Sequence, residues 1–419
     1  MFFQKNKIFS RGGRKSGRRG RGFCLDKRVV RLYNHCRHFF APTTVEKEIF
    51  FVKTLLCFIR KNAVLCVAAL AAAATACALP PDAAYLGYFD FKTLTCLFCV
   101  LAIVCALRNI RFFYILAQRI VKVFSNARAA VMALVVITFV GSMLIANDMA
   151  LLTFLPLGYY VLHGTGKEKY MAFTFIMQNI AANLGGMLTP FGNPQNLYLY
   201  SHFDIPTGEF TAIMAPHFAL AVCLILLFCA VFVRPEPISV SGEETRLPPL
   251  RTAVYLLLFA LAIAIVFRGI PYQIGLVVVP VSLLFLDRDA LRRVDYPLLL
   301  TFVFFFIFAG NMARLPAVHR LLSGWLAKNT LLVSILSCQC ISNVPTAILL
   351  SQFTSDYPHL LVGVNIGGTG TLIASLASLI TYRTYVSAYP QNKGRYLALF
   401  SAMSFAFLAI LTLFALWIG

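Results

Sequence analysis

The sequence predicts an all-α polytopic membrane protein built from two inverted repeats, each with a re-entrant hairpin and a discontinuous helix. Three observations lead there: the apolar content, the long apolar runs between basic loops, and a set of motifs that occurs twice in the same order. Of 419 residues, 59% are hydrophobic and 13% charged, with a mean hydropathy of +0.78. A soluble domain holds about 45–50% apolar and about 25% charged residues. A chain this apolar cannot cover its own surface with polar groups. That excludes a water-soluble enzyme, a disordered protein and a secreted disulfide scaffold. The 12 cysteines lie mostly in apolar runs, where a thiol behaves as a small hydrophobe, and Cys96-x-x-Cys99 has too apolar a context for redox or zinc chemistry.

Residues 1–62 read as a basic cytoplasmic head with an interfacial helix over 46–60 (EKEIFFVKTLLCFIR). The head carries 16 of the 37 basic residues and three acids, and most of the net charge of +21 with them. Its RGGRKSGRRGRG run has no apolar region with a small-residue cleavage site and is not a secretory signal. Attraction to anionic lipid, at about 1 kcal/mol per basic residue near the surface, is one reading. RNA binding is another, and a start placed too early is the third. Lipid attraction or a misplaced start is favoured, and no nucleic-acid partner is expected.

Apolar stretches at 63–80, 91–107, 170–200, 209–233, 251–267, 271–286, 297–312, 357–380 and 396–418 are read as spans, on a scale of about 17–25 residues per crossing. Two more, 129–163 and 329–353, are too long for one span and carry polar breaks at Asn147-Asp148 and Ser342-Asn343. Each is read as a re-entrant hairpin. With the N-terminus inside, this layout puts 32 basic residues on the cytoplasmic side and five outside, as the positive-inside rule requires. The expected location is the plasma or inner membrane, multi-pass, with a cytoplasmic N-terminus. The polar stretch 234–250 is the cytoplasmic linker between a first repeat, 63–233, and a second, 251–419, which begins with the connecting helix 251–267.

Three pairs of segments match across that linker. Asp90 and Asp295 each open a span. Asn147-Asp148 and Ser342-Asn343 each sit at a hairpin tip. Asn183-x-Gly185-Gly186-x-x-Thr189 matches Asn365-x-Gly367-Gly368-x-x-Thr371. Asp90 begins its span from outside and Asp295 from inside, so the halves are inverted, an arrangement found in secondary transporters. A broken helix frees backbone groups, which is tolerable in a membrane only beside protein or a watery cavity. Freed N–H groups favour anions and freed carbonyls favour cations. The glycine pairs admit close backbone approach, and Pro190 and Pro194 keep the helix broken. Asn147, Asn193, Asn196 and Asn343 add amide groups, and Thr189, Thr346, Thr371, Ser375 and Ser378 add hydroxyls. Asp148 is the one acid expected inside a re-entrant apolar segment, where a carboxylate neutralises a cation or carries a proton. The alternative is a helix cap that accepts from Ala150 or Leu151 N–H.

At these residues the chain resembles the ion transporter superfamily, which includes divalent anion:sodium symporters, arsenite permeases, citrate transporters and sodium/proton antiporters. The family pattern Gly-Gly-x-x-Thr-x-x-Gly-x-x-x-Asn is complete in the first half as Gly185, Gly186, Thr189, Gly192 and Asn196. The second half keeps Gly367, Gly368 and Thr371 but has Ala374 and Ser378. Of the Ser-Asn-Thr tip signature of dicarboxylate symporters, only the Asn is present in both tips. The runs NDMALLTFLPL and GGTGTLIASLASLI are closer to the anion-permease branch near arsenite and citrate carriers. The resemblance implies a secondary active transporter, not an enzyme, that moves a carboxylate or inorganic oxyanion by alternating access. Na⁺ or H⁺ would be the coupling ion and there would be no other cofactor. Transported Na⁺ would sit at Asn147, Asp148, Gly186, Asn343 and Gly368. The partners expected are the small anion, membrane lipid and a second copy in a homodimer. A sodium/proton antiporter with Asp148 exchanging, a channel and an intramembrane enzyme are the rivals; no His-Glu-x-x-His motif supports the last.

Overall fold

The computed structural model describes residues 58–59, 62–239 and 247–418. The basic head and nearly all of the interfacial helix expected over 46–60 lie outside these residues. The chain divides into two compact units, Met1–Cys66 and Val67–Gly419, and the site described below belongs to the second.

Among the described residues the structure is helical, with one isolated bridge between Asn126 and Pro237. Six helices among the described residues are long and apolar enough to cross a membrane, or seven if a helix pair bent by 118° counts as one span. The chain is therefore an all-α, multi-pass membrane protein. After α1 (Ala63–Ala78), the first half runs α2 (Phe91–Asn109), α3 (Phe112–Lys122), α4 (Ala127–Ile145), α5 (Asn147–Gly164), α6 (Met171–Gly185), α7 (Pro194–His202) and α8 (Thr207–Phe232). Helices α9 (Pro249–Val266), α10 (Tyr272–Leu286) and the short α11 (Arg288–Arg292) lead into the second half. It runs α12 (Tyr296–Arg314), α13 (Pro316–Leu326), α14 (Thr330–Ile341), α15 (Asn343–Leu350), α16 (Tyr357–Ile366), α17 (Leu376–Ala388) and α18 (Lys393–Ile418).

The same order of elements thus occurs twice, with matching starts. Asp90 caps α2 by accepting from Thr93 N at 2.9 Å, and Asp295 caps α12 by accepting from Leu298 N at 3.1 Å. Asn126 and Asn329 cap α4 and α14 in the same way, at 2.9 and 2.8 Å. In a membrane these caps matter more than in water, because the first N–H groups of a helix have no other partner there.

Three expectations need correction. The basic stretch 108–128, read as a loop, contains α3. Phe113, Ala117 and Val121 recur at helical spacing and are buried, while Arg119 and Lys122 fall in the last turn, so amphipathic packing makes a helix of a segment too charged to cross. The stretch between Arg314 and Lys328 likewise forms α13, an 11-residue helix like α3. The spans are also displaced at one end: the helix expected to finish at 380 continues to Ala388. The hairpin arms are unequal. Those of the first have 19 and 18 residues and those of the second 12 and 8. Length alone therefore does not separate α4 from a full crossing.

The start of the linker straps the ends of the first hairpin to α8. Ala127 N donates to Glu236 O at 2.7 Å, Ile238 N donates to Ser125 O at 2.9 Å, and Arg128 Nε donates to Val233 O at 2.7 Å. The Glu236 carboxylate accepts from Lys167 (2.7 Å), Lys169 and Tyr170 OH. These hydrogen bonds, Lys167 first, hold its pKa down at about 2.

Candidate functional site

Each hairpin turns on one non-glycine residue with positive φ: Ala146 at φ 63°, ψ 151° and Ser342 at φ 74°, ψ 158°. Such a conformation costs about 1–3 kcal/mol for a residue with a Cβ, and it recurs at the same place in both halves. The next residue is Asn147 or Asn343, and both are buried. Asn147 Oδ1 accepts from Asp148 N and Asn343 Oδ1 accepts from Val344 N, each at 2.9 Å. The tip asparagines thus satisfy the first free N–H of the returning arm. The cap considered for Asp148 is not the one formed, since Ala150 N donates to Ala146 O at 3.0 Å.

Each tip is tied to the helix break of its own half. The motif threonines Thr189 and Thr371 donate through Oγ1 to the carbonyls of Met143 (2.8 Å) and Gln339 (3.1 Å), each four residues before the tip asparagine. A Cβ on Gly185 would lie 2.2 Å from Phe139 O and 2.5 Å from Ser142 Oγ. Its counterpart Gly367 packs on Cys338 in the same way. Glycine at these positions is a condition of hairpin and break touching.

The freed carbonyls are satisfied differently in the two halves. In the first break, Asn196 Nδ2 donates to the carbonyls of Gly186, Met187 and Thr189 at 3.0, 3.3 and 3.4 Å. In the second, Ser378 stands where the pattern has Asn, and Gln339 takes over. Its Nε2 donates to the carbonyls of Gly367 (2.8 Å) and Thr369 (3.1 Å), and its Oε1 accepts from Thr371 N at 2.9 Å. The departure at Ser378 is thereby compensated from the facing hairpin.

A chain of buried amides joins the two breaks. Asn147 Nδ2 donates to Asn183 Oδ1 at 3.1 Å. Asn193 Nδ2 donates to Asn183 O (3.2 Å) and Asn365 Oδ1 (3.3 Å), and Asn365 Nδ2 to Asn196 Oδ1 at 2.6 Å. Asn179 Nδ2 donates to Ser378 Oγ at 3.2 Å. The structure therefore brings together Asn147, Gly185, Gly186, Thr189, Gly192, Asn193, Asn196 and Ser378. Gly192 lies against Gly186, whose carbonyl would be 2.5 Å from a Cβ added there. Ser342 and Asn343 close on the second break through Ala374 O, which accepts from Asn343 N at 3.0 Å, with Gly368 beside the Asn343 amide. Thr346 and Ser375 are engaged locally. The first donates back to Ser342 O at 2.7 Å and the second accepts from Ala377 N at 3.2 Å as the α17 cap.

Four buried side-chain carbonyl or carboxylate oxygens among the described residues have no hydrogen-bond partner: Asp148 Oδ1, Gln178 Oε1, Asn193 Oδ1 and Gln195 Oε1. That condition costs about 1–3 kcal/mol each. Asn193 Oδ1 faces Gly186, where a Cβ would be 2.3 Å away, beside Gly192 O. The Asp148 carboxylate makes no hydrogen bond to the amide chain, which its backbone N–H meets at Asn147. Its neighbour Met149 meets Arg108 of α2, with Nη1 4.0 Å from Sδ. Elsewhere a polar cavity of about 330 Å³ opens where α7 and α15 meet α2 and α12, lined among others by Asp90, Lys92, Tyr198, His202 and Gln352.

Sequence reasoning placed Asn183 and Asn365 in the repeated motif but gave them no part in the site, and it passed over Asn179 and Gln339. A signal was present. Asn179 lies one helical turn before Asn183, and Gln339 one turn before Asn343.

Two hairpins whose tips close on two mutually bonded helix breaks, inside an apolar helical bundle, define a membrane transport protein. The sequence profile of the citrate transporter family matches residues 54–356. An uncharacterized transporter of Methanocaldococcus jannaschii is 31% identical over 330 residues, 78% of this chain and 89% of its own. The inner membrane protein YbiR of Escherichia coli is 31% identical over 278 residues, 65% and 74% of the respective chains. The chain belongs to the citrate transporter family.

Proposed function

We propose that the protein is a secondary active carrier of a small anion, a carboxylate or inorganic oxyanion, driven by Na⁺ or H⁺ through alternating access. The observation that carries this reading is the pair of backbone breaks joined by buried amides, with an unsatisfied carbonyl oxygen, Asn193 Oδ1, at their junction. Freed carbonyls and amide oxygens of this kind suit a cation, and the N–H ends of the half-helices suit an anion. Na⁺ would be held around Gly186 and Asn193 in the first half and Gly368 and Asn343 in the second. The solute would bind between the tips, with the anion class supported by the family. The repeats would be inverted across the plasma or inner membrane with the N-terminus cytoplasmic, as the distribution of basic residues supports. The carrier would act as a homodimer.

The test is uptake of labelled citrate, other carboxylates and inorganic oxyanions into proteoliposomes, with a sodium gradient, a proton gradient or neither. Gradient-dependent accumulation of one anion supports the reading, and no anion flux under any gradient refutes it. The buried, unpartnered Asp148 Oδ1 favours a second reading, a sodium/proton antiporter in which Asp148 exchanges the two cations. Sodium-driven proton flux without anion counterflow would select that reading.

A further inference from the structure

Helix α3 lies along α4 with a groove of about 590 Å³ between them, lined almost wholly by apolar side chains. Phe112, Leu116 and Ile120 form one wall and Met132, Val136 and Val140 the other. Its lining follows α4 from Ala129 to Leu144, a helix length of about 22 Å at 1.5 Å per residue. That exceeds one leaflet, which is half of the roughly 30 Å hydrocarbon core. The groove is therefore long, and it borders a helix with the length and apolarity of a crossing.

No acid occurs between Asp90 and Asp148, while Arg111, Arg119, Lys122 and Arg128 flank the two helices. Arg119 and Lys122 occupy the last turn of α3 and Arg128 the first turn of α4. Arg119 and Arg128 are next in the chain to Ile120 and Ala129, which line the groove where α3 passes into α4. Arg128 is held there by its Nε bond to Val233 O at 2.7 Å. An apolar groove of acyl-chain length with basic residues beside one end complements a lipid with a negative head group.

We infer that this groove is a binding site for one acyl chain of an anionic phospholipid, whose phosphate meets Arg119 and Arg128. The lipid lies in the joint between α2 and the first hairpin, since α3 is the connection from one to the other.

Native mass spectrometry of the full-length protein tests this, after delipidation and addition of equal amounts of phosphatidylglycerol and phosphatidylcholine. One phosphatidylglycerol is retained per chain. Arg119→Gln weakens its retention about fivefold, the effect of one basic residue at the head group. Val136→Trp fills the groove and abolishes retention. Leu257→Trp, on the exposed face of α9, leaves it unchanged. Equal retention of the two lipids overturns the assignment, as does full retention in Val136→Trp. So does efficient cross-linking of two chains through Val136→Cys, which places a second copy in the groove. Arg119 is exposed, so its variant folds and keeps the test decisive if the tryptophan does not.

Discussion

Asn365 Nδ2 lies 2.6 Å from Asn196 Oδ1, with both side chains buried and the two residues 169 positions apart in the chain. This bond joins the helix break of one half to that of the other. Removing either partner leaves a buried amide unsatisfied, which costs about 1–3 kcal/mol. Asn365→Ala and Asn196→Ala are each expected to lower thermal stability by that amount. The double variant is expected to lose less than the sum, with a coupling of about 0.5–3 kcal/mol. Strict additivity in a detergent melting series would show that the bond is not formed.

Glycine at 186 and 368 occupies equivalent positions, but their surroundings differ. A Cβ at Gly186 would lie 2.3 Å from Asn193 Oδ1 and 2.8 Å from the backbone carbonyl of Gly192, whereas one at Gly368 would lie no closer than 3.2 Å to Asn343 Nδ2 and 3.3 Å to Asn365 O. Gly186→Ala is expected to abolish transport and Gly368→Ala to reduce it only several-fold. Initial uptake rates at matched expression distinguish the two. Equal damage would show that the two glycine positions are equally crowded.

Ala146 and Ser342 hold positive φ angles at the hairpin tips. Glycine adopts this conformation freely, so Ser342→Gly is expected to relieve strain of about 1 kcal/mol. It also loosens the tip. The expected result is a protein that melts slightly higher and transports more slowly, read by a melting curve and a flux assay on one preparation.

Asp148→Asn keeps the shape of the side chain and removes its charge. The variant is expected to fold and insert normally but to lose cation-coupled uptake, because the buried oxygen no longer carries a negative charge at membrane depth. Coupled flux at the wild-type rate would dismiss a role for Asp148.

The Glu236 carboxylate, held near pKa 2 by Lys167, Lys169 and Tyr170, makes the linker strap insensitive to moderate acid. A carboxylate whose pKa is lowered on folding stabilises the fold fully above its unfolded value, and that contribution is lost as pH falls through the folded one. The loss is therefore confined to the interval between the ordinary 4.5 and about 2. Hydrogen exchange at Ala127 and Ile238, whose amides the strap protects, should show constant protection factors between about pH 5 and pH 8. Any pH dependence of transport in that range then arises elsewhere. Glu236→Gln should lower protection at every pH in it.

Much of this molecule was legible in its residues because membrane burial imposes local rules. Long apolar runs mark crossings, since every backbone group in lipid must be bonded within its own segment. Asn147 and Asn343 marked the tips, and Gly185-Gly186 and Gly367-Gly368 the breaks, because each is a polar or side-chain-free interruption of an apolar run. Helices α3 and α13 were harder to see. Their charges looked like loop charges, and only their packed faces make them helices.

The sequence by itself determined that the chain crosses a membrane as helices, where those helices break, and that the same order of breaks occurs twice. Backbone satisfaction and side-chain polarity act over a few residues, so they can be read in line. Only the tertiary structure decided that the breaks bond to each other through Asn193, Asn196 and Asn365. It alone showed that Gln339 does in the second half what Asn196 does in the first, and that the Asp148 carboxylate makes no hydrogen bond to the amide chain. Those outcomes depend on contacts between residues far apart in the chain, and no periodicity along it records which distant amide will come within 3 Å of another.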